Sequence, residues 1–300
     1  MADVKIEIEA SPFAASPVVP EQLDENHVIR FDCYRGISCF NACCRNIDIT
    51  LTPYDILRLK RRLGLTSGEF LRRYTHPFEF SKGSVAGVKM EPVSGGSECR
   101  FMTDAGCSVY SDRPTSCRYY PVGLLSTRRA DENFDRASYA LVREDHCKGH
   151  LEAREVTIAD YRREQGLEAY DAHGRGWRQL ILKMKSAGPA IGKPSQKSLQ
   201  FFFMACYDLD RFREFVKSEG FNATFDIDDA TRESLYTDDL ALLKFGERMI
   251  RQVMFGEETI DRRPDACEAL VARRREQREL RGEMDNKAAA EGDRAFRTES

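Results

Sequence analysis

Ten cysteines are the residues of this 300-residue chain best suited to chemistry. Eight of them fall between positions 33 and 147, and four of those occupy only twelve residues, as Cys33-x5-Cys39-x3-Cys43-Cys44. The others are Cys99-x7-Cys107-x9-Cys117 and Cys147, which lies in His146-Cys147-Lys148-Gly149-His150. Thiolates are soft ligands that suit zinc, copper(I) and iron–sulfur clusters. In a reducing compartment such clustering points to metal rather than to disulfides. One tetrahedral site uses four ligands. Eight thiols therefore imply two centres, or one centre with further thiols in supporting roles. Adjacent Cys43 and Cys44 cannot easily turn both sulfurs to one mononuclear centre, so their side chains are expected to diverge. Cys206 and Cys267, outside the cluster, read as small packed hydrophobes.

The spacing excludes several frameworks. It is not the paired Cys-x2-Cys of a zinc ribbon, nor a ferredoxin run, and a thioredoxin-type Cys-x-x-Cys is absent. The segment 188–194 lacks the spacing and the final Ser or Thr of a phosphate loop. No Gly-x-Gly-x-x-Gly marks a dinucleotide site. His27, His146 and His150 lie near cysteines and are candidate additional ligands. Arg35, Arg45, Arg100, Arg113 and Arg118 also flank cysteines. Four thiolates on zinc(II), or on a four-iron cluster in its oxidised form, leave a net charge of about −2. Guanidinium groups facing that charge would offset the cost of burying it.

These ligands need positioning elements. Thr52, Pro53 and Asp55 form a helix start, with Leu51 and Ile56 as its hydrophobic staple, and Gly64 ends the helix. Thr66 and Glu69 repeat the scheme between Leu65 and Phe70. A helical hairpin over 53–63 and 67–75 follows. Strands are expected at 85–93 and 137–143, and Gly/Pro-punctuated loop at 94–120. Helices are expected near 157–168, 171–186, 195–218 and 229–254. The third of these carries a broad apolar face from Phe201 to Phe215, which reads as core. The fold class is therefore α+β: an irregular cysteine-rich domain followed by a mainly helical part. Residues 1–24 read as a loose leader, 25–150 as the metal-binding domain, 151–260 as the helical region and 261–300 as a charged tail. That tail holds 10 basic and 10 acidic residues and is expected to be a solvated helix or disordered.

Composition narrows the partners. The net charge of −3 argues against a nucleic-acid binder. The longest apolar stretch, Phe201–Cys206, is far short of the roughly 20 residues that span a bilayer. Met1–Glu9 has neither the basic nor the apolar part of a secretory signal, so a cytoplasmic location is expected.

The run from Glu98-Cys99-Arg100-Phe101 through Gly106-Cys107-Ser108-Val109-Tyr110-Ser111-Asp112-Arg113-Pro114-Thr115-Ser116-Cys117-Arg118-Tyr119-Tyr120-Pro121, with Cys39-Phe-Asn-Ala-Cys43-Cys44 before it, resembles the YkgJ-type cysteine-cluster family. That family is described as a zinc- or iron-chelating domain with eight cysteines. The resemblance covers about residues 30–150 and implies a ligand set of Cys33, Cys39, Cys43, Cys44, Cys99, Cys107, Cys117 and Cys147. The first cluster departs from the family's shorter Cys-x2-Cys-x2-Cys-Cys form. The cysteine pattern is also similar to that of flagellin lysine N-methylases, which implies S-adenosylmethionine as a further cofactor; no residue outside 30–150 supports it here. Eight thiols with few histidines favour an iron–sulfur cluster, of the four-iron type, with an unassigned redox or transferase activity. The alternative is a structural zinc domain displaying its helical part to a protein partner.

Overall fold

The computed structural model describes residues 22–80, 85–127, 136–186 and 194–266, together with Glu268 and Ala272. The chain divides into two units, residues 1–211 and 212–300. The fold class is α+β, with short strands in small sheets and helices dominating the C-terminal part. Most of the leader, most of the charged tail, and Cys267 lie outside the described residues.

In the first unit, β1 (Val28–Arg30) pairs antiparallel with β9 (Glu155–Thr157) and closes the ends of the cysteine region on each other. The 3-10 turn Ala42–Cys44 leads to β2 (Thr50–Leu51). Then come α1 (Pro53–Leu63) and α2 (Ser67–Tyr74), each opened by a complete capping box, Thr52 with Asp55 and Thr66 with Glu69. Gly64 ends α1 in the left-handed conformation. β3 (Thr75–Glu79) and β4 (Ala86–Met90) follow, and the three-stranded sheet has the order β2-β4-β3. The stretch expected as loop contains a small hairpin, β5 (Met102–Thr103) with β6 (Gly106–Cys107), and the short helix α3 (Thr115–Tyr119). β7 (Val122–Thr127) and β8 (Arg136–Leu141) form a second antiparallel pair.

Three helices complete this unit. They are α4 (Ile158–Glu164), α5 (Leu167–Ser186) and α6 (Gln196–Tyr207). α5 packs on α1, α3 and α4, and α6 packs on α1 and β4. Their core includes the fully buried Leu51, Leu57, Leu59, Phe70, Leu180, Phe202 and Tyr207. Trp177 of α5 meets Phe80 at 6.0 Å between ring centroids and donates its indole N–H to the Tyr207 hydroxyl at 3.2 Å. So α4, α5 and α6 share a core with the cysteine-bearing elements of the first unit.

The helix expected over 195–218 is two. α6 stops at Asp208, whose carboxylate accepts from the Ser67 hydroxyl at 2.6 Å, and α7 (Leu209–Lys217) begins afresh. The unit boundary falls within α7. In the second unit, α8 (Glu219–Thr224), α9 (Asp229–Thr237) and α10 (Asp239–Phe255) surround an aromatic row of Phe212, Phe215, Phe221 and Phe245. The expected 229–254 helix is broken at Asp238, which caps α10 by accepting from the Leu240 N–H at 2.7 Å. Among the described residues no helix is long and apolar enough to cross a membrane.

Candidate metal centre

The first cysteine loop is folded by its own backbone. Asn41 takes a left-handed conformation (φ 65°) and caps the turn that carries Cys43 and Cys44. Its side-chain amide donates to the Thr103 carbonyl at 2.9 Å, which ties the first loop to the β5–β6 hairpin. The Cys99 N–H donates to the Cys44 carbonyl at 2.8 Å, and the Ile47 N–H to the Ser97 carbonyl at 3.0 Å. These bonds place Cys44 and Cys99 side by side.

The hairpin then returns Cys107, paired with Met102, toward Cys99. The backbone N–H groups of Phe101 and Met102 face the Cys99 sulfur, and that of Val109 faces Cys107. Such donors favour the thiolate, although burial outweighs them and holds both thiols above their ordinary value.

Cys117 sits on α3. Fully buried Asp55 accepts from the Thr115 N–H at 2.8 Å and the Thr115 hydroxyl at 2.7 Å, so the start of α3 is pinned to the start of α1. Burial, then the neighbouring Cys99 and Cys107 and the Asp55 charge, push the Cys117 thiol far up.

The last ligand candidate comes from the far end of the domain. The Asp32 N–H donates to the Gly149 carbonyl at 3.1 Å, and the Lys148 N–H donates to the Cys39 sulfur at 3.2 Å. Gly149 is required here, because a Cβ at this position would lie 2.6 Å from the Asp32 carbonyl oxygen and 2.6 Å from the Phe31 ring. Partial burial, then Cys43, Cys39 and Cys147, raise the Cys33 thiol to about 11.

All eight clustered cysteines thus have at least one other cysteine, or the backbone beside one, as a neighbour. Cys206 is buried in α6, outside this set. The thiols of adjacent Cys43 and Cys44 act on each other. A hydrogen bond from Cys44 lowers the Cys43 thiol to about 7, against the effect of burial, and the same bond holds Cys44 protonated. Among the described residues no three Cys, His, Asp or Glu side chains already stand as a closed ligand set. The thiols are gathered rather than aimed, and a cysteine re-aims about a single χ1 torsion between staggered wells.

Of the five flanking arginines, Arg113 faces the thiols: its charge favours the thiolates of Cys33, Cys43 and Cys107. It donates to the Gln165 side chain and lies over the Tyr110 ring at 4.0 Å, while its buried Nε has no partner. Arg118 is spent on the fold, donating to the carbonyls of Arg113, Gln165 and Ser111. Tyr119 donates to Asp171 at 2.7 Å. The Arg118 guanidinium and the Tyr119 hydroxyl are thus engaged within the fold. Arg100 donates to the carbonyls of Pro92 and Arg73, and Arg35 and Arg45 are exposed.

The histidines do not join the set. His150 donates from Nε2 to the Val142 carbonyl at 3.0 Å, His146 lies 3.6 Å from Glu144, and His27 is exposed. Three neighbours were not legible as site residues. Glu144 and Tyr120 lie beside Cys43 and Cys147, and Asp55 reaches Cys117 from a helix cap. Only the last left a sequence signal, as the third residue of a capping box.

An all-thiol donor set drawn from separated segments is the chemistry of a soft-metal site. Residues 32–155 match the CxxCxxCC family, whose description is "putative zinc- or iron-chelating domain". The CxxCxxCC match spans all eight clustered cysteines and ends within β9, the strand that closes the domain on β1. No curated protein and no solved structure matches the chain. Zinc or iron chelation through cysteines is thus the function that the match over this region suggests.

Proposed function

We propose that this protein is a redox-active iron–sulfur protein, its cluster held by thiolates among Cys33, Cys39, Cys43, Cys44, Cys99, Cys107, Cys117 and Cys147. The observation that carries the reading is the donor set itself: thiols from four chain segments neighbour one another, while His150 is spent on the Val142 carbonyl. A bound cluster would supply one-electron chemistry. The chain's own part is to gather the thiols, to release their protons and to balance their charge. Mutual proximity disfavours ionisation of closely placed thiols until a cation is present. The Phe101, Met102 and Val109 N–H groups and the Arg113 guanidinium offset part of the remaining negative charge.

Anaerobic purification followed by iron, zinc and acid-labile sulfide analysis tests this. Iron with sulfide, and a broad visible absorption that bleaches with dithionite, is the expected result. A colourless protein holding zinc alone would turn the reading to a structural zinc domain that presents its helices to a protein partner. S-Adenosylmethionine has no support from residues beyond the cysteine pattern.

A further inference from the structure

We infer that the eight thiols form two four-cysteine centres, with the adjacent Cys43 and Cys44 assigned to different ones. The first comprises Cys33, Cys39, Cys43 and Cys147; the second comprises Cys44, Cys99, Cys107 and Cys117. This rests on the metal-binding reading above and adds the number of centres and their ligands.

The backbone makes the division. Cys33 follows Asp32, whose N–H is bonded to Gly149, two residues beyond Cys147. Cys39 accepts from the N–H of Lys148, the residue after Cys147. The Cys147 N–H donates to the Glu144 carbonyl at 2.9 Å, and the Glu144 side chain faces Cys43. So three of the four first-centre positions are gathered around the 144–149 turn, and Cys33 is one residue from it. The second set is built differently. Cys44 is bonded to Cys99 through the main chain, and the Met102 N–H donates to the Cys99 carbonyl at 3.0 Å. The β5–β6 pairing carries the chain back to Cys107. Cys117 arrives from α3 and has Cys99, Cys107 and, with a smaller effect, Cys43 as thiol neighbours. Cys33 has Cys43, Cys39 and Cys147 as its thiol neighbours, and Cys44 has Cys99 and Cys117 besides Cys43. Cys43 also neighbours Cys99, Cys107 and Cys117, so it stands where the two sets meet, and its place in the first rests on Cys33 and on the Glu144 side chain.

Charge supports the same count. Eight thiolates on one divalent ion would leave a large uncompensated charge, and a tetrahedral ion has room for only four. Two centres of four ligands use every clustered cysteine. The Cys43–Cys44 peptide then links the centres covalently, and Arg113, which acts on Cys33 and Cys43 of one set and Cys107 of the other, lies where its charge serves both.

The test uses the wild-type, full-length protein, metal-loaded anaerobically. Native mass spectrometry counts the metal per chain during graded chelation, and thiols freed at each step are alkylated and mapped. Two equal losses are expected. The first loss should free Cys33, Cys39, Cys43 and Cys147 together, since Cys33 and Cys43 are exposed whereas Cys99 is buried. Single-step loss, or early labelling that mixes members of the two sets, would overturn the division. The variants Cys43→Ser and Cys44→Ser add a second readout, with each expected to halve the bound metal. If Cys43→Ser empties both centres, Cys43 bridges them and the division fails. A wild-type chain that holds no metal would instead overturn the metal-binding reading itself, a result distinct from the others.

Discussion

Asp55 holds Thr115 by two hydrogen bonds, at 2.8 Å to its N–H and 2.7 Å to its hydroxyl, two residues before Cys117. The same carboxylate accepts from the Thr52 N–H at 2.8 Å and completes the capping box of α1. One fully buried side chain thus sets the start of the first long helix and the position of a candidate ligand on a helix that begins sixty residues later.

Removing that carboxylate should therefore cost more than a helix cap. Asp55→Ala leaves the Thr52 and Thr115 donors without their acceptor, and unsatisfied buried groups cost about 1–3 kcal/mol each. A loss of roughly 3 kcal/mol or more is expected, measured by denaturant unfolding, with release of Cys117 from the metal. A Thr52→Ala variant, which touches only the cap, should lose about 1 kcal/mol. Equal losses in the two variants would show that the Asp55–Thr115 bonds contribute nothing.

Asp112 gives a dependence on pH. Burial opposes its ionisation, but hydrogen bonds from Ser111 and Arg58 prevail and hold it below its ordinary value of 3.8. A carboxylate depressed in the folded state contributes stability that is present above the unfolded pKa and lost as pH falls through the folded one. Asp112→Asn should thus lower the melting temperature at neutral pH. The difference from wild type should shrink as the pH is taken below 3.8. A gap that stays constant over that range would rule out the ion pair with Arg58 as its source.

Gly149 tests the closure of the domain. A methyl group there would lie 2.6 Å from the Asp32 carbonyl oxygen, which belongs to the backbone and cannot swing aside. Gly149→Ala should force the 31–33 and 147–149 segments apart, at about 1–3 kcal/mol by the usual cost of overpacking. Metal affinity should fall with it, because Cys33, Cys39 and Cys147 are held by this contact. Gly36→Ala is the control for backbone strain alone, since open space surrounds that position at φ 111°. Comparable metal affinity in Gly149→Ala and wild type would refute the closure.

Cys117→Ser should loosen the segment 94–120 and make it protease-sensitive. Its regular elements are short, the two-residue strands β5 and β6, a 3-10 turn at Tyr110–Asp112 and the five-residue α3, so side-chain bonds such as those of Asp55 and any metal carry much of the burden of holding it. Binding to a structural metal contributes on the order of 10 kcal/mol to small domains. Unchanged digestion kinetics with full metal content would remove Cys117 from the ligand set.

What the sequence made legible was local. The two capping boxes, the Gly64 stop and the hairpin of α1 and α2 were all readable, because each signal lies within four residues. The cysteine clustering was readable as metal chemistry for the same reason. Breaks at Asp208 and Asp238 were not, since apolar periodicity runs on across a capping aspartate. The pair β1 and β9 escaped notice because three residues are too few for alternation, and its partners lie over a hundred residues apart. Arg113 and Arg118 looked equivalent in sequence; only the fold shows that carbonyls consume Arg118 and that Arg113 faces the thiols.

Trp177, the one tryptophan of the chain, reports on how far the cysteine region depends on the helices after it. It is buried, meets Phe80 from the cysteine-bearing part, and lies on α5, which packs against α1 and α3. α3 carries Cys117, so α5 supports the helix of a candidate ligand directly. A chain ending at residue 150 would strip α5 and α6 from α1 and leave Tyr54, which now meets Tyr170 and His173, facing water. A fragment of residues 151–300 would likewise expose Trp177 on the face that Phe80 now covers. Its fluorescence is therefore expected to shift to the red relative to the intact protein, and its α4–α6 portion should melt without cooperativity. Residues 1–150 alone should hold metal weakly or precipitate. If the 151–300 fragment instead keeps the emission of the whole chain and residues 1–150 bind metal as tightly as before, then α4, α5 and α6 form an independent layer. The shared core would then have no part in holding the thiols.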